Sequence, residues 1–151
     1  MNDKSKHDIL RESPLFDNLL TAELSMLSDL FEVRCFSDEE FVFREGDVGD
    51  SMYVVADGIV EILRKGPDGN FQAFAELQAP QFFGEMSLID KEYRSVTAKA
   101  KGNVQLLQLS NENLHQFARA YRNGFTWVVV NIARVLSARL RETNRRLAEN
   151  L

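Results

Sequence analysis

One cysteine, two histidines and three prolines are all that this 151-residue chain contains of those residues. Cys35 alone supports neither a disulfide framework nor a thiolate cluster. His7 and His115 stand far apart in sequence, so a metal-dependent β-barrel oxygenase, which needs clustered His and carboxylate ligands, is disfavoured. No metal and no cofactor is expected. The net charge of −5 lacks the basic excess on which non-specific nucleic-acid binding runs. Direct DNA binding is therefore not expected. A Gly-x-x-x-x-Gly-Lys-Ser/Thr loop is missing, which argues against a triphosphate site. Long apolar runs are missing too. Residues 1–10 are polar and charged, unlike a signal peptide, and the most apolar window, 125–136, is too short to span a bilayer and carries Asn131 and Arg134. The expectation is a cytoplasmic protein with no membrane partner.

What is present is ordinary globular material. A 44% hydrophobic and 27% charged composition at this length provides for one domain with a core and one appended element. Up to about residue 31 the chain reads as helical, with Leu24, Leu27, Leu30 and Phe31 at helical spacing after Thr21, a plausible N-cap. Residues 33–110 change to short strands at 33–36, 40–44, 51–56, 59–64, 71–77, 94–101 and 104–109. Glycine-bearing turns separate them, among them Ala56-Asp57-Gly58, Gly66-Pro67-Asp68-Gly69 and Lys101-Gly102-Asn103. Short strands with glycine turns predict a β-barrel, roll or sandwich. Ser110 caps a helix over 112–121, Asn123-Gly124 interrupts, and a long helix runs from 125 to the end. On it Val129, Ala133, Leu136, Leu140, Thr143 and Leu147 alternate steps of four and three, a heptad seam. Its partner is either a second copy of the helix, giving a homodimer, or the chain's own β-core; the charged flanks from Arg139 to Glu149 favour the dimer.

The densest chemistry lies in Phe83-Gly84-Glu85-Met86-Ser87-Leu88-Ile89 and, shortly after, Arg94-Ser95-Val96-Thr97-Ala98. A glycine and a carboxylate open a helical turn whose free N–H groups attract an anion. An arginine follows, able to fork onto phosphate oxygens, and Glu85 can accept from a sugar hydroxyl. Singly, these are commonplace. Asp90 or Glu92 would make Arg94 an ordinary surface ion pair worth about 0–1 kcal/mol, and Glu85 would simply complement a helix dipole. Jointly they suit a singly charged phosphate, because one fixed cation under-neutralises a triphosphate.

With its upstream pattern Phe43-Arg44-Glu45-Gly46-Asp47, Gly49, Met52-Tyr53-Val54-Val55 and Gly58-Ile59-Val60, the chain resembles the cyclic nucleotide-binding domain family from about residue 15 to the end. The resemblance implies a mainly β fold with flanking helices: a double-stranded β-helix, or β-roll, over residues 1–118. It implies a C-terminal helix over 119–151 that serves as dimer arm and lid. It implies that Arg94 and Ser95 hold a cyclic phosphate, that Gly84 and Glu85 meet the ribose 2′-hydroxyl within the turn Gly84-Glu85-Met86-Ser87, and that Thr143 reaches the base, with Asn144 contributing from a partner subunit. The implied function is a non-catalytic sensor of cAMP or cGMP, cAMP foremost, that signals through its C-terminal helix to an unknown protein effector. The alternative is a degenerate β-roll for dimerisation or docking. Three differences from the family pattern are visible: the Gln78-Ala79-Pro80-Gln81 turn, Tyr93 before the arginine, and an end at Leu151 where transcriptional activators of this kind continue into a helix-turn-helix domain.

Overall fold

The computed structural model describes residues 5–89 and 93–150. Two helices lead, α1 (Lys6–Glu12) and α2 (Thr21–Leu30), joined by a 3-10 turn at Pro14–Phe16. Strands β1 (Glu32–Phe36), β2 (Phe41–Phe43), β3 (Ser51–Lys65), β4 (Phe71–Leu77) and β5 (Phe82–Phe83) follow. A one-turn helix α3 (Met86–Ile89), a long strand β6 (Thr97–Ser110) and helices α4 (Asn111–Ala120) and α5 (Arg122–Glu149) complete the described chain.

All strand pairs are antiparallel. The order is β1-β6-β3-β4, with β2 also on β6 and β5 also on β3. This is the expected mainly β fold with flanking helices, but its strands are fewer and longer than the turn signals suggested. Residues 51–56 and 59–64 form one strand, as do most of 94–101 and 104–109. The glycines at 58 and 102, read as turns, instead mark a shared bend. Between the pairs Asp57↔Gln105 and Ile59↔Lys101, two steps along β3 pass four along β6. Such a bulge sharpens twist without ending the ladder. Both glycines hold positive φ, +89° and +76°.

Alternation along the strands builds two cores from one sheet. Met52, Val54 and Ala56 of β3, with Leu107 and Leu109 of β6, face the helices and join Leu10, Leu15, Leu27, Phe31, Phe117 and Ile132. Tyr53 and Val55, with Val104 and Leu106, point into the roll and meet Phe43, Ile62 and Phe83. Buried on both faces, residues 51–56 show an almost continuous apolar run, as such strands do.

Helix ends follow local chemistry. Ser110 Oγ accepts from Asn113 N at 3.0 Å, as expected of an N-cap. At α2 the N-cap is Leu20, not Thr21; the first turn is held by Glu23, whose carboxylate accepts from Leu20 N at 2.8 Å. Asn123-Gly124 does not interrupt α5 but lies in its first turn, and the break falls at Tyr121. Glycine is needed at 124 because a Cβ there would lie 2.6 Å from Glu23 Oε2. Asn131 ties α5 down: buried, it donates from Nδ2 to Leu15 O (3.0 Å) and Asp17 O (2.8 Å). No helix among the described residues is long and apolar enough to cross a membrane.

The seam residues Val129, Leu140, Thr143 and Leu147 do not pack on the chain's own core. That role belongs to Val128 and Ile132, with Val135 and the seam residue Leu136 both partly buried against the same core.

The two bend glycines separate strain from sterics. At Gly102 nothing lies within 4 Å of an added Cβ, whereas at Gly58 it would overlap the Asn103 carbonyl oxygen. Gly102→Ala should cost about 1–2 kcal/mol, the penalty of a side chain at positive φ, and lower Tm by roughly 2–8 °C at this chain length. Gly58→Ala should lower Tm at least about twice as far, because overpacking adds roughly 1–3 kcal/mol. Equal melting points for the two variants, by calorimetry, would refute the steric account.

Candidate functional site

A cavity of about 350 Å³ opens between β3, β4, the turn into α3, the segment before β6, and α5. Gly84, Glu85, Met86, Ser87, Arg94 and Ser95 all line it, so six of the eight residues anticipated from sequence converge. Thr143 and Asn144 are exposed on α5 and do not line the cavity within one chain; Thr143 Oγ1 donates to Arg139 O at 3.0 Å. Asp90 and Glu92 lie outside the described residues.

Arg94 is the centre of this arrangement. It precedes rather than begins β6, which starts at Thr97. Its backbone is clamped by the 44–50 loop: Arg94 N donates to Asp47 O (2.7 Å), and Gly46 N to Arg94 O (2.9 Å). The guanidinium is only 8% exposed for the residue as a whole. Nη2 donates to Ser51 O at 2.7 Å, and Nη1 to Gly84 O at 3.2 Å and Ser87 Oγ at 3.4 Å. Its Cζ sits 4.1 Å from the Phe43 ring centroid. Phe43 in turn belongs to a three-ring cluster with Tyr53 and Phe83, the latter two stacked at 5.2 Å.

Two glycines make room for this side chain. A Cβ on Gly84 (φ +76°) would lie 2.8 Å from Arg94 Nη1, and one on Gly49 3.1 Å from Arg94 Nε and 2.8 Å from Ser87 Cβ. The glycines before β3 and at the start of the 84–87 turn thus form a cradle for the one guanidinium.

Among the described residues the cradle surrounds its cation with neutral groups. Among the described residues no carboxylate lies within ion-pair distance of Arg94. Burial pushes the guanidinium below its ordinary value, and the fields of Tyr53, Asp50, Asp47 and Glu85 only oppose this. Arginine stays charged across the working pH range. A buried cation satisfied by neutral carbonyls gains most from an anion brought to it.

Glu85 is also buried, and its Oε1 lies 3.7 Å from Arg139 Nη1 of α5. Arg139 further approaches Phe82 O (3.5 Å) and the Phe82 ring (5.0 Å). Sequence reasoning treated Arg139 as a solvated flank of a coiled coil; it instead lines the cavity. The signal lay in spacing, since Arg139 is one turn before Thr143 and shares its helix face. Ser87 Oγ is engaged by Ser51 O (3.0 Å) and Gly84 O (2.9 Å), holding α3 against β3. Asn111 Nδ2 donates to Ser87 O (3.0 Å) and links that turn to α4. Ser95 is exposed at the cavity wall.

The fold and cavity are those of a β-roll whose glycines cradle one buried arginine beside a buried carboxylate, closed on one side by a long helix. The chain belongs to the cyclic nucleotide-binding domain family, whose profile matches residues 33–121. It is 33% identical over 138 residues to the cyclic AMP receptor protein of Thermus thermophilus, covering 91% of this chain and 62% of that one. It is 30% identical over 103 residues to a cAMP-dependent protein kinase regulatory subunit of Blastocladiella emersonii, covering 68% of this chain and 26% of the relative. The crystal structure of the Thermus thermophilus catabolite activator protein superposes with a TM-score of 0.79 at 34% identity, over 90% of this chain and 62% of that one. A cyclic nucleotide-binding domain from Methylobacillus flagellatus shares the fold with a TM-score of 0.84, over 97% of this chain and 83% of that one, at 24% identity. The chain thus spans less than two thirds of both curated relatives.

The Glu85–Arg139 contact is long and half open to solvent on the arginine side. Such pairs contribute about 0–1 kcal/mol, so Arg139→Ala should move Tm by no more than roughly 2–4 °C. A larger fall in a melting curve would make this pair a structural staple of α5.

Proposed function

We propose that the chain is a non-catalytic sensor of a cyclic mononucleotide, cAMP in preference to cGMP, acting inside the cell. The observation that carries this reading is the buried Arg94 guanidinium, held by two carbonyls with no carboxylate partner among the described residues. An exocyclic phosphate oxygen would supply the missing charge, with the Ser95 hydroxyl beside it. Glu85, at the polar margin of the same cavity, would accept from a ribose 2′-hydroxyl, with Gly84, Met86 and Ser87 shaping the turn around the sugar-phosphate. A cavity of about 350 Å³ suits one small ligand of this kind.

Two further features support a signalling role. The named relatives are a cyclic AMP receptor and a kinase regulatory subunit, which favours cAMP and regulation over catalysis. Arg139 joins the cavity wall to α5, so a ligand that competes for Glu85 would act directly on that helix. Residues 119–151 then form lid and dimer arm together. Leu140 and Leu147, 62% and 61% exposed, lie on a heptad seam that a second copy would cover, bringing Thr143 and the partner subunit toward the base. The ligand shifts the α5 arrangement only by its differential affinity for the two states, and an effector protein would read that shift.

Saturating cAMP, at a hundredfold excess over Kd, should stabilise the protein by about 2.7 kcal/mol, raising Tm by roughly 5–11 °C. Arg94→Ala should weaken binding at least about 100-fold, since charge-assisted hydrogen bonds contribute about 1.5–3 kcal/mol each. Unchanged affinity in that variant by calorimetry overturns the site, and no shift with cAMP or cGMP overturns the sensor. Light scattering should give twice the 17.3 kDa chain mass, and Leu140→Lys should return it to the monomer value.

A further inference from the structure

The cavity has two chemically different walls. The end formed by Gly84, Glu85, Ser87, Arg94 and Ser95 is polar. The wall supplied by β3 and β4 consists of Ile62, Phe74, Ala75 and Leu77, and none of these side chains carries a nitrogen or oxygen atom. A nucleotide seated with its phosphate on Arg94 therefore has a wall of apolar side chains within the same cavity for its base.

Phe74 stands out on that wall. Its neighbours Ile62 and Ala75 are smaller, whereas Phe74 presents a phenyl ring that is 58% exposed while lining the cavity. The Arg64 guanidinium, one strand over on β3, lies 5.7 Å from the ring centroid and helps to fix its orientation. An aromatic ring so open to solvent contributes nothing to the roll's core, which is filled by Phe43, Tyr53, Val55 and Phe83 from the other elements. It is available for a flat apolar ligand.

We propose that Phe74 is the stacking platform for the nucleotide base and selects purine over pyrimidine cyclic nucleotides by ring area. This rests on the reading that the cavity takes a cyclic nucleotide, and goes beyond it by dividing the labour of base recognition. Stacking between a base and an aromatic side chain is tolerant of exocyclic groups because every base has a π-face. The bicyclic purines cover a phenyl ring more fully than single-ring pyrimidines. With no polar side chain on the β3–β4 wall, its side chains respond to ring area rather than to the exocyclic groups of a base. Discrimination between adenine and guanine then falls to α5, which brings the polar side chain of Arg139 to the cavity.

Calorimetric titration of cAMP, cGMP, cCMP and cUMP into the wild type, Phe74→Ala, Phe74→Leu and Phe74→Tyr tests this. The exposed position predicts melting curves for all three variants close to wild type. Wild type should bind both purine nucleotides at least about tenfold more tightly than both pyrimidine ones. Phe74→Ala should weaken purine binding roughly 5- to 150-fold, the range for losing one base–aromatic stack. Phe74→Leu keeps apolar area but no ring, and should bring purines and pyrimidines to similar affinity; Phe74→Tyr should keep the wild-type order. Purine binding unaffected in Phe74→Ala, or full selectivity in Phe74→Leu, overturns the platform while leaving the nucleotide site standing. Binding of none of the four by wild type overturns both.

Discussion

A guanidinium buried without a carboxylate partner among the described residues is the constraint around which this structure is arranged. Arg94 stays charged, so its surroundings have to satisfy it with neutral oxygens and aromatic faces. Those oxygens are the backbone carbonyls of Ser51, at the start of β3, and Gly84, just before α3. Both must approach closely, and that is possible only because Gly49 and Gly84 carry no Cβ. The 44–50 loop, the first residues of β3 and the 84–87 turn are thus fixed relative to one another by a single side chain. Carbonyls orient the cation without cancelling its charge, so the same contacts that build the fold leave a buried positive charge at the cavity wall.

The cavity gains its second wall from a different source. Helix α5 is anchored at its start by Gly124 over Glu23 and by Asn131 on the 3-10 turn. Two turns beyond Asn131 it reaches the cavity with Arg139. Past that point its apolar residues face away from the chain's own core. One helix therefore serves three environments in succession: core, cavity and an exposed seam. This order makes the proposed coupling physically direct, since the residue beside Glu85 and the seam residue Leu140 are consecutive on the same rigid element.

Much of the fold was legible because its signals are local. The change from helical to strand spacing near residue 32, Ser110 as a cap and the long C-terminal helix each depend on neighbours within one or two turns. Strand continuity was not legible. Gly58 and Gly102 carry the composition of turns, and only the pairing of β3 with β6 across the sheet converts them into a shared bend. Asn123-Gly124 misled for a similar reason. Its glycine answers to the Glu23 carboxylate, about a hundred positions earlier in the chain, and not to a local break.

For the site, the sequence by itself determined which groups meet at the polar end of the cavity: a glycine, a carboxylate, an arginine and a small hydroxyl residue at close spacing. Short-range spacing suffices there because the turn and the following segment fold back on each other within a dozen residues. Only the tertiary structure decided how they are satisfied and what faces them. The Ser51 carbonyl, the Gly49 clearance, the Phe43 ring, the Phe74 wall and Arg139 come from elements tens of residues away. Their arrival depends on strand register and on the packing of α5, which are settled by burial of two cores at once and leave no contiguous mark in the sequence.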